Sequence, residues 1–412
     1  MNVKRQLTTI AVLTRIFPNI VQTYVTSHII ALKRHNYKTI IVSENKPIHD
    51  EIHPNVYQYK LLDDTIYINV NVRELIKTVF TVFIINNNIK LLLKLIFSSV
   101  WNKYGFKYGL QSLIRTKFLP INKIDIIHSH SLFSSYNYLF LKDIFNIPLT
   151  TTFHGLVPNN VTMLAEEKIH DVLNAGDAFF VNTVFAKNQL LRYGCNMEKI
   201  HIIPQGTNIE DFQYKERTIN HDEPIIILSV GRLSIEKGFH IAIDAIAALI
   251  DEQPNIEYRI VGNGVERDNL QKQINDLNLV RNVKLYGSLS TDELLFQYSI
   301  AHIFILPSID LLDGYHVETQ GVVLQEAQAS GIPVIASKTG GIPEVIKDQK
   351  TGLLFEENNN KELAEKIRLL IMDKTFYKNL SIQGRKDVEH NFRLEVISKK
   401  LIDVYESLAP NN

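Results

Sequence analysis

Residues 318–337 read ETQGVVLQEAQASGIPVIAS, and this stretch decides the fold. The run from Gly321 to Ser330 is apolar and alanine-rich, as a packed helix requires. Gly331-Ile332-Pro333 ends it, and Val334–Ser337 is a short apolar run that suits a buried strand. A helix turning into a strand covered on both faces is one half of a parallel α/β unit. The same alternation extends outward in both directions. LTTIAVLT, KTIIVS, KIDIIHSHS, PLTTTFHG, DAFFVNT and KIHIIPQG lie on the N-terminal side, and IIILSVGRL, EYRIVGNG, NVKLYGSL, AHIFILPS and TGLLFEE belong to the half around the opening stretch. Amphipathic segments separate them, so the expected fold is α/β, with two Rossmann-like doubly wound parallel sheets facing a cleft. The polar stretch NIEDFQYKERTINHDEP, which ends in proline, separates the two series. The expected domains are therefore 1–213 and 214–392, consistent with a chain of 412 residues.

Composition narrows the class. Apolar residues make up 45% and charged residues 21% of the chain, the balance of a globular protein with a large core. The longest apolar runs, TVFTVFII and IIILSV, are too short to span a bilayer. The N-terminal run lacks a small-residue cleavage site and is interrupted by Arg15, so it reads as a first strand rather than a signal peptide. A single cysteine, Cys195, precludes an intrachain disulfide, and a cytoplasmic setting is expected.

Net charge is zero, but its distribution is uneven. Up to Lys215 there are 23 Lys and Arg against 15 Asp and Glu; beyond it, 21 against 29. Much of the basic excess lies in residues 73–117, where Arg73, Lys77, Lys90, Lys94, Lys103, Lys107, Arg115 and Lys117 meet only Glu74. Interleaved Leu, Ile, Phe, Trp101, Tyr104 and Tyr108 admit two readings: a core helix pair with snorkelling lysines, or a segment lying on an anionic membrane surface. Nothing resembles a nucleic-acid-binding module.

Ligands of doubly wound sheets bind outside the carboxyl ends of the strands, and residues with chemical potential follow several strands here. GRLSIEKGFH sets Gly231, Arg232 and Lys237 before an apolar helix, a pairing of a forked and a point cation that suits phosphate. VGNGVERDNL, with Gly262, lacks the third glycine of a dinucleotide fingerprint, which argues against NAD. In GSLSTDEL, Ser290 and Glu293 have the spacing of a capping box. A helix starting near Gly321 would offer unpaired amides to an anion, with Glu318 just before it and Glu326 more than a turn inside. Carboxylates accept hydrogen bonds from sugar and ribose hydroxyls, so the two acids suit sugars on either side of a diphosphate. In the first half, TTTFHG places His154 at a strand end and IIHSHS places His128 and His130 at another.

Taken together, GRLSIEKG, IVGNG, YGSLSTDELLFQYSIAHIFILPS and ETQGVVLQEAQASGIPVIASKTGGIPEVI resemble the donor half of the retaining family 4 glycosyltransferases of GT-B architecture. FPNIVQTYV, HSH and TTFHG look like their bacterial exopolysaccharide branch, of the colanic acid or amylovoran type. The resemblance implies a nucleotide-sugar donor (UDP- or GDP-sugar) and a hexose transferred with retention to a growing, lipid-linked cell-surface glycan. It also implies no cofactor and no catalytic metal, and no Asp-x-Asp is present. By it, Arg232, Lys237, Glu318 and His154 are catalytic. Gly231, Gly262, Leu289, Gly321, Val322, Val323 and Glu326 join Arg232 and Lys237 in binding the donor. His128, His130 and Gln22 are acceptor-side candidates, and a C-terminal helix, 393–412, crosses back to the first domain. Val21-Gln22 stand where the branch has Ser-Glu, and Gln205 and Asn208 stand where Asn and Asp are usual. An epimerase or phosphorylase on the same fold, or a non-catalytic glycan-binding subunit, are the rival readings.

Overall fold

Among the described residues, thirteen strands form two parallel sheets. The first contains β1 (Thr9–Ile16), β2 (Lys38–Asn45), β3 (Thr65–Tyr67), β4 (Ile126–Ser129), β5 (Leu149–Phe153), β6 (Ala178–Val181) and β7 (Ile200–Ile202), in the order β3-β2-β1-β4-β5-β6-β7. The second contains β8 (Ile225–Val230), β9 (Ile256–Val261), β10 (Val283–Gly287), β11 (Ile303–Leu306), β12 (Val334–Ser337) and β13 (Leu353–Phe355), in the order β10-β9-β8-β11-β12-β13. These come from a computed structural model that describes residues 7–19, 23–47, 52–71, 73–74, 77, 94–155, 164–220, 222–311 and 317–409. Gln22 and Lys90 lie outside the described residues.

The strands read as continuous apolar runs because both faces of each sheet are covered. Side chains alternate along β1: Ala11 and Leu13 enter the core on one face, Ile10 and Val12 the core on the other. Along β11, Ile303 and Ile305 face one core while Phe304 and Leu306 face its opposite. Strand order reverses between β1 and β4 and again between β8 and β11, so each sheet opens a crevice there at its carboxyl edge.

The last helix, Leu394–Ser407, packs on the first sheet. Ile397, Leu401 and Tyr405, spaced four apart on one helical face, are buried with Ile10, Val12 and Ile29. The chain crosses between the domains twice, side by side: Thr207 N–H donates to the Phe392 carbonyl (2.7 Å), and Leu394 N–H to that of Thr207 (3.0 Å). A carboxylate adds a further tie. Glu344 of the second domain accepts from the Val184 amide at 2.6 Å and from the Phe185 amide at 2.7 Å, capping helix Val184–Arg192 of the first.

The basic segment is split between core and surface. Helix Phe106–Phe118 buries Tyr108, Leu113, Ile114 and even Arg115. Nearby, Phe97 and Phe106 are 83% and 72% exposed, and Lys107 is exposed as well.

Candidate active site

The two crevices face each other, and the residues following the strands meet there. After β8, the chain turns at Gly231 beneath the end of β9. A Cβ on Gly262, at φ 139°, would stand 1.9 Å from the Gly231 carbonyl oxygen, so only glycine permits this approach. Gly231 lies beside the Lys237 stem and sends Arg232 outward, 57% exposed on its side chain and 3.5 Å from Glu236. Lys237 ends a short 3-10 turn, Ile235–Lys237, and its Nζ lies 2.6 Å from Glu318 Oε2.

Glu318 is anchored at both oxygens. Its Oε1 accepts from the Gly321 amide at 3.0 Å. Burial pushes its pKa up, but the charge and hydrogen bond of Lys237, with the Gly321 and Gln320 amides, outweigh this and hold it below the ordinary carboxylate range. Gly321 itself takes φ 77° at the start of helix Val322–Ala329, where a Cβ would come within 2.8 Å of Leu306. The amides of Val322 and Val323 open that helix and have no partner within it, an arrangement that favours an anion. Val323 packs against the apolar core.

Arg232, Lys237, Glu318 and His154 line one hollow of about 150 Å³ between the domains, together with Ser308 and Thr319. Glu326, Val322 and Leu289 line a neighbouring hollow of about 130 Å³ on the other side of the helix start, facing Thr23, Tyr24 and Ser27 of the first domain. The two acids of the opening stretch therefore serve separate hollows. Glu326 accepts from the Tyr298 hydroxyl at 2.7 Å. Burial raises its pKa, Tyr298 opposes that, and nearby Asp211 adds to it.

His154 sits at the floor of the cleft with its ring under Tyr24, centroids 4.1 Å apart. Both its nitrogens are engaged, Nδ1 with Gln205 Nε2 (3.0 Å) and Nε2 with His130 Nδ1 (3.3 Å). His130 Nε2 continues to His28 Nδ1 (2.9 Å), and His28 Nε2 to the Tyr405 hydroxyl (3.2 Å). His128 is fully buried behind them, held by Tyr405, Thr150 and Thr152 rather than facing the cleft. Burial drives all four imidazoles down, His28 and His154 to about 3, so each is neutral at pH 7.

Sequence reasoning missed the residues that join the halves. The Gln320 side chain clamps the Gln205 backbone, accepting from its amide (2.8 Å) and donating to its carbonyl (3.1 Å). Thr183 Oγ1 donates to the Thr319 carbonyl (3.0 Å), and Thr319 Oγ1 to that of His154 (3.4 Å). Gln205 alone carried a signal, as a departure from the expected residue. His28 and Tyr405 carried none, being 377 positions apart.

This architecture, two Rossmann-like domains facing each other across a cleft, is that of the GT-B proteins. Two family models match in tandem, Glycosyltransferase Family 4 over residues 21–211 and Glycosyl transferases group 1 over residues 211–387. The chain belongs to the GT-B glycosyltransferase family that carries these two domains in succession. Among curated relatives it is similar to the amylovoran biosynthesis glycosyltransferase AmsK of Erwinia amylovora, 34% identical over 54% of each chain. It is also similar to the putative colanic acid biosynthesis glycosyltransferase WcaL of Escherichia coli, 30% identical over 63% of this chain and 64% of that one. The match thus spans a little over half to about two thirds of these relatives' length. Among solved structures, Anabaena Alr3699/HepE in complex with UDP superposes with a TM-score of 0.73 over 97% of this chain and 100% of that one, at 16% identity, a likeness of fold.

Proposed function

We propose that the protein is a retaining, metal-independent glycosyltransferase that moves a hexose from a UDP- or GDP-sugar to a growing lipid-linked glycan in exopolysaccharide synthesis. The observation that carries this reading is the hollow shared by Arg232, Lys237, Glu318 and His154. A departing nucleoside diphosphate needs compensating charge where the bond breaks, and Arg232, Lys237 and the first amides of helix Val322–Ala329 supply it from the protein. Glu318, held ionised by Lys237, accepts from hydroxyls of the donor sugar, while Glu326 in the adjacent hollow accepts from the ribose. The acceptor enters from the first domain, and attack on the face the diphosphate leaves keeps the anomeric configuration. Catalysis on this view is positioning plus electrostatics. The UDP complex of the Anabaena neighbour and the names of the two exopolysaccharide relatives support the donor and pathway class.

We further assign the site of action to the inner face of the membrane. Exposed Phe97 and Phe106 beside Lys107 give the first domain an apolar and basic patch suited to anionic lipid.

The test is a transfer assay with sugar nucleotides and membrane-extracted lipid acceptors in EDTA, with the product anomer read by NMR. Transfer with the donor's configuration supports the proposal. Free sugar or an isomerised sugar nucleotide as the product would replace it with hydrolysis or epimerisation.

A further inference from the structure

The hydrogen bonds beneath the cleft form one continuous path. From the donor loop, Gln320 grips the Gln205 backbone, and the Gln205 side chain meets His154. His154 leads to His130, His130 to His28, and His28 to Tyr405 of the last helix. The path thus links the loop carrying Glu318, three strand-end and helix positions of the first domain, and the helix that returns from the second.

Its sense is set by the Gln205 amide. A neutral imidazole has one donor and one acceptor nitrogen. The Gln205 amide nitrogen donates, so His154 Nδ1 accepts and its proton lies on Nε2. His130 Nδ1 must then accept, and its Nε2–H donates to His28 Nδ1. His28 Nε2–H donates to the Tyr405 oxygen, and Tyr405 O–H passes on to His128 Nδ1 at 2.7 Å. Every link is satisfied by a single choice of tautomer, and turning the Gln205 amide would reverse the links through His28.

His28, His128 and His130 bring ring nitrogens within 4.8 Å of one another, a spacing that a divalent metal also favours. These nitrogens are already matched to each other and to hydroxyls, and among the described residues no carboxylate belongs to the cluster to offset a buried dication. The geometry is complete as a proton-ordered chain.

We propose that Gln205, His130, His28 and Tyr405 are positioning residues for sugar transfer: their one-way chain holds His154 as the Nε2–H tautomer and, through Gln320, fixes it against the loop that carries Glu318. The proposal rests on the reading that His154 borders the donor. A neutral His154 leaves Lys237 to pair with Glu318, whereas an imidazolium on the same hollow would compete for that carboxylate. Beneath the cleft the chain is faced by Tyr24 over His154, Phe180 against His128 and Tyr405, and Ser398 with Asn182 beside the rings, none charged at neutral pH. On the cleft side His154 alone meets charge, sharing its hollow with Arg232, Glu236, Lys237 and Glu318.

The experiment uses the full chain with ¹⁵N-labelled histidine, and long-range ¹H–¹⁵N correlation at pH 8 to read tautomers. His154, His130 and His28 are expected as Nε2–H in the wild type. Gln205→Glu replaces the donor with an acceptor and is expected to move all three to Nδ1–H, including His28 three hydrogen bonds away. Tyr405→Phe, which keeps the ring packing, removes the acceptor for His28 Nε2–H and is expected to leave that N–H without its partner while His130 still holds His28 as Nε2–H. In this variant kcat should fall about tenfold with donor KM within about twofold. A His28 that stays Nε2–H in Gln205→Glu, wild-type kcat in Tyr405→Phe, or one equivalent of tightly bound zinc in the purified protein would each overturn the proposal. Loss of UDP binding in the wild type would instead strike the donor assignment, because the tautomers are read without ligand.

Discussion

Replacing Lys237 with methionine isolates the pair at the centre of the site. Lys237 and Glu318 approach to 2.6 Å with side chains only 21% and 15% exposed. At an effective dielectric of about 20, unit charges so close attract by roughly 6 kcal/mol, and the desolvation of both groups offsets much of that. Removing one partner of such a buried pair costs about 3–5 kcal/mol. Glu318 keeps its amide donors at Gly321 and Gln320, so the low end, about 3 kcal/mol at pH 7, is expected for Lys237→Met. The pH dependence has a definite sign. In the wild type the folded Glu318 pKa is depressed, so its stabilisation is present above the unfolded value of about 4.3 and is lost as pH falls through the folded one. Without Lys237, burial dominates, the folded pKa rises above the unfolded value, and ionisation becomes a penalty at neutral pH. The stability gap between the two proteins should therefore shrink from pH 7 towards pH 4.5. Urea unfolding followed by circular dichroism at both pH values measures it. A gap that is the same at both, or below about 0.5 kcal/mol at pH 7, would refute the electrostatic account.

Three other outcomes follow from the same geometry. Tyr298→Phe removes the donor that opposes protonation of Glu326, so UDP affinity in the variant should weaken at a higher pH than in the wild type as pH is lowered, read by titration calorimetry across pH 5–8. Glu344→Ala uncaps helix Val184–Arg192 from across the cleft and should cost about 1 kcal/mol while enlarging the radius of gyration in X-ray scattering. Lys103→Glu with Lys107→Glu should reduce cosedimentation with anionic liposomes and leave neutral liposomes unaffected; equal binding to both would remove the membrane assignment.

The fold was legible because parallel strands buried on both faces leave apolar runs that stand out against amphipathic helices, and the linker is polar. The grouping of Lys237 with Glu318 in one hollow was legible for a related reason. Lys237, Glu318 and Gly321 follow strand ends, where chemistry is expected, and a glycine in the left-handed region leaves a mark in sequence. What joins the domains was not legible. Gln320, Thr319, Thr183 and Glu344 act through one or two hydrogen bonds to distant backbone, and a lone polar residue has no periodicity to betray it. His128 and His130 read alike, two residues apart on one strand end, yet only His130 lines the hollow beneath the cleft, while Thr150, Thr152 and Tyr405 enclose His128. The basic segment mixed two roles that composition cannot separate: Arg115 is buried over Tyr138, whereas Lys107 is exposed.

The most direct measurement is calorimetric titration of UDP and GDP into the wild type and Arg232→Ala, in EDTA. Arg232 is mostly exposed, so its loss should spare stability and fall on ligand binding alone. Metal-free binding of one of the two nucleotides, weakened at least about tenfold in the variant, is the expected result. Binding that needs a divalent metal, or equal affinity in both proteins, would contradict a diphosphate pocket charged by the protein itself.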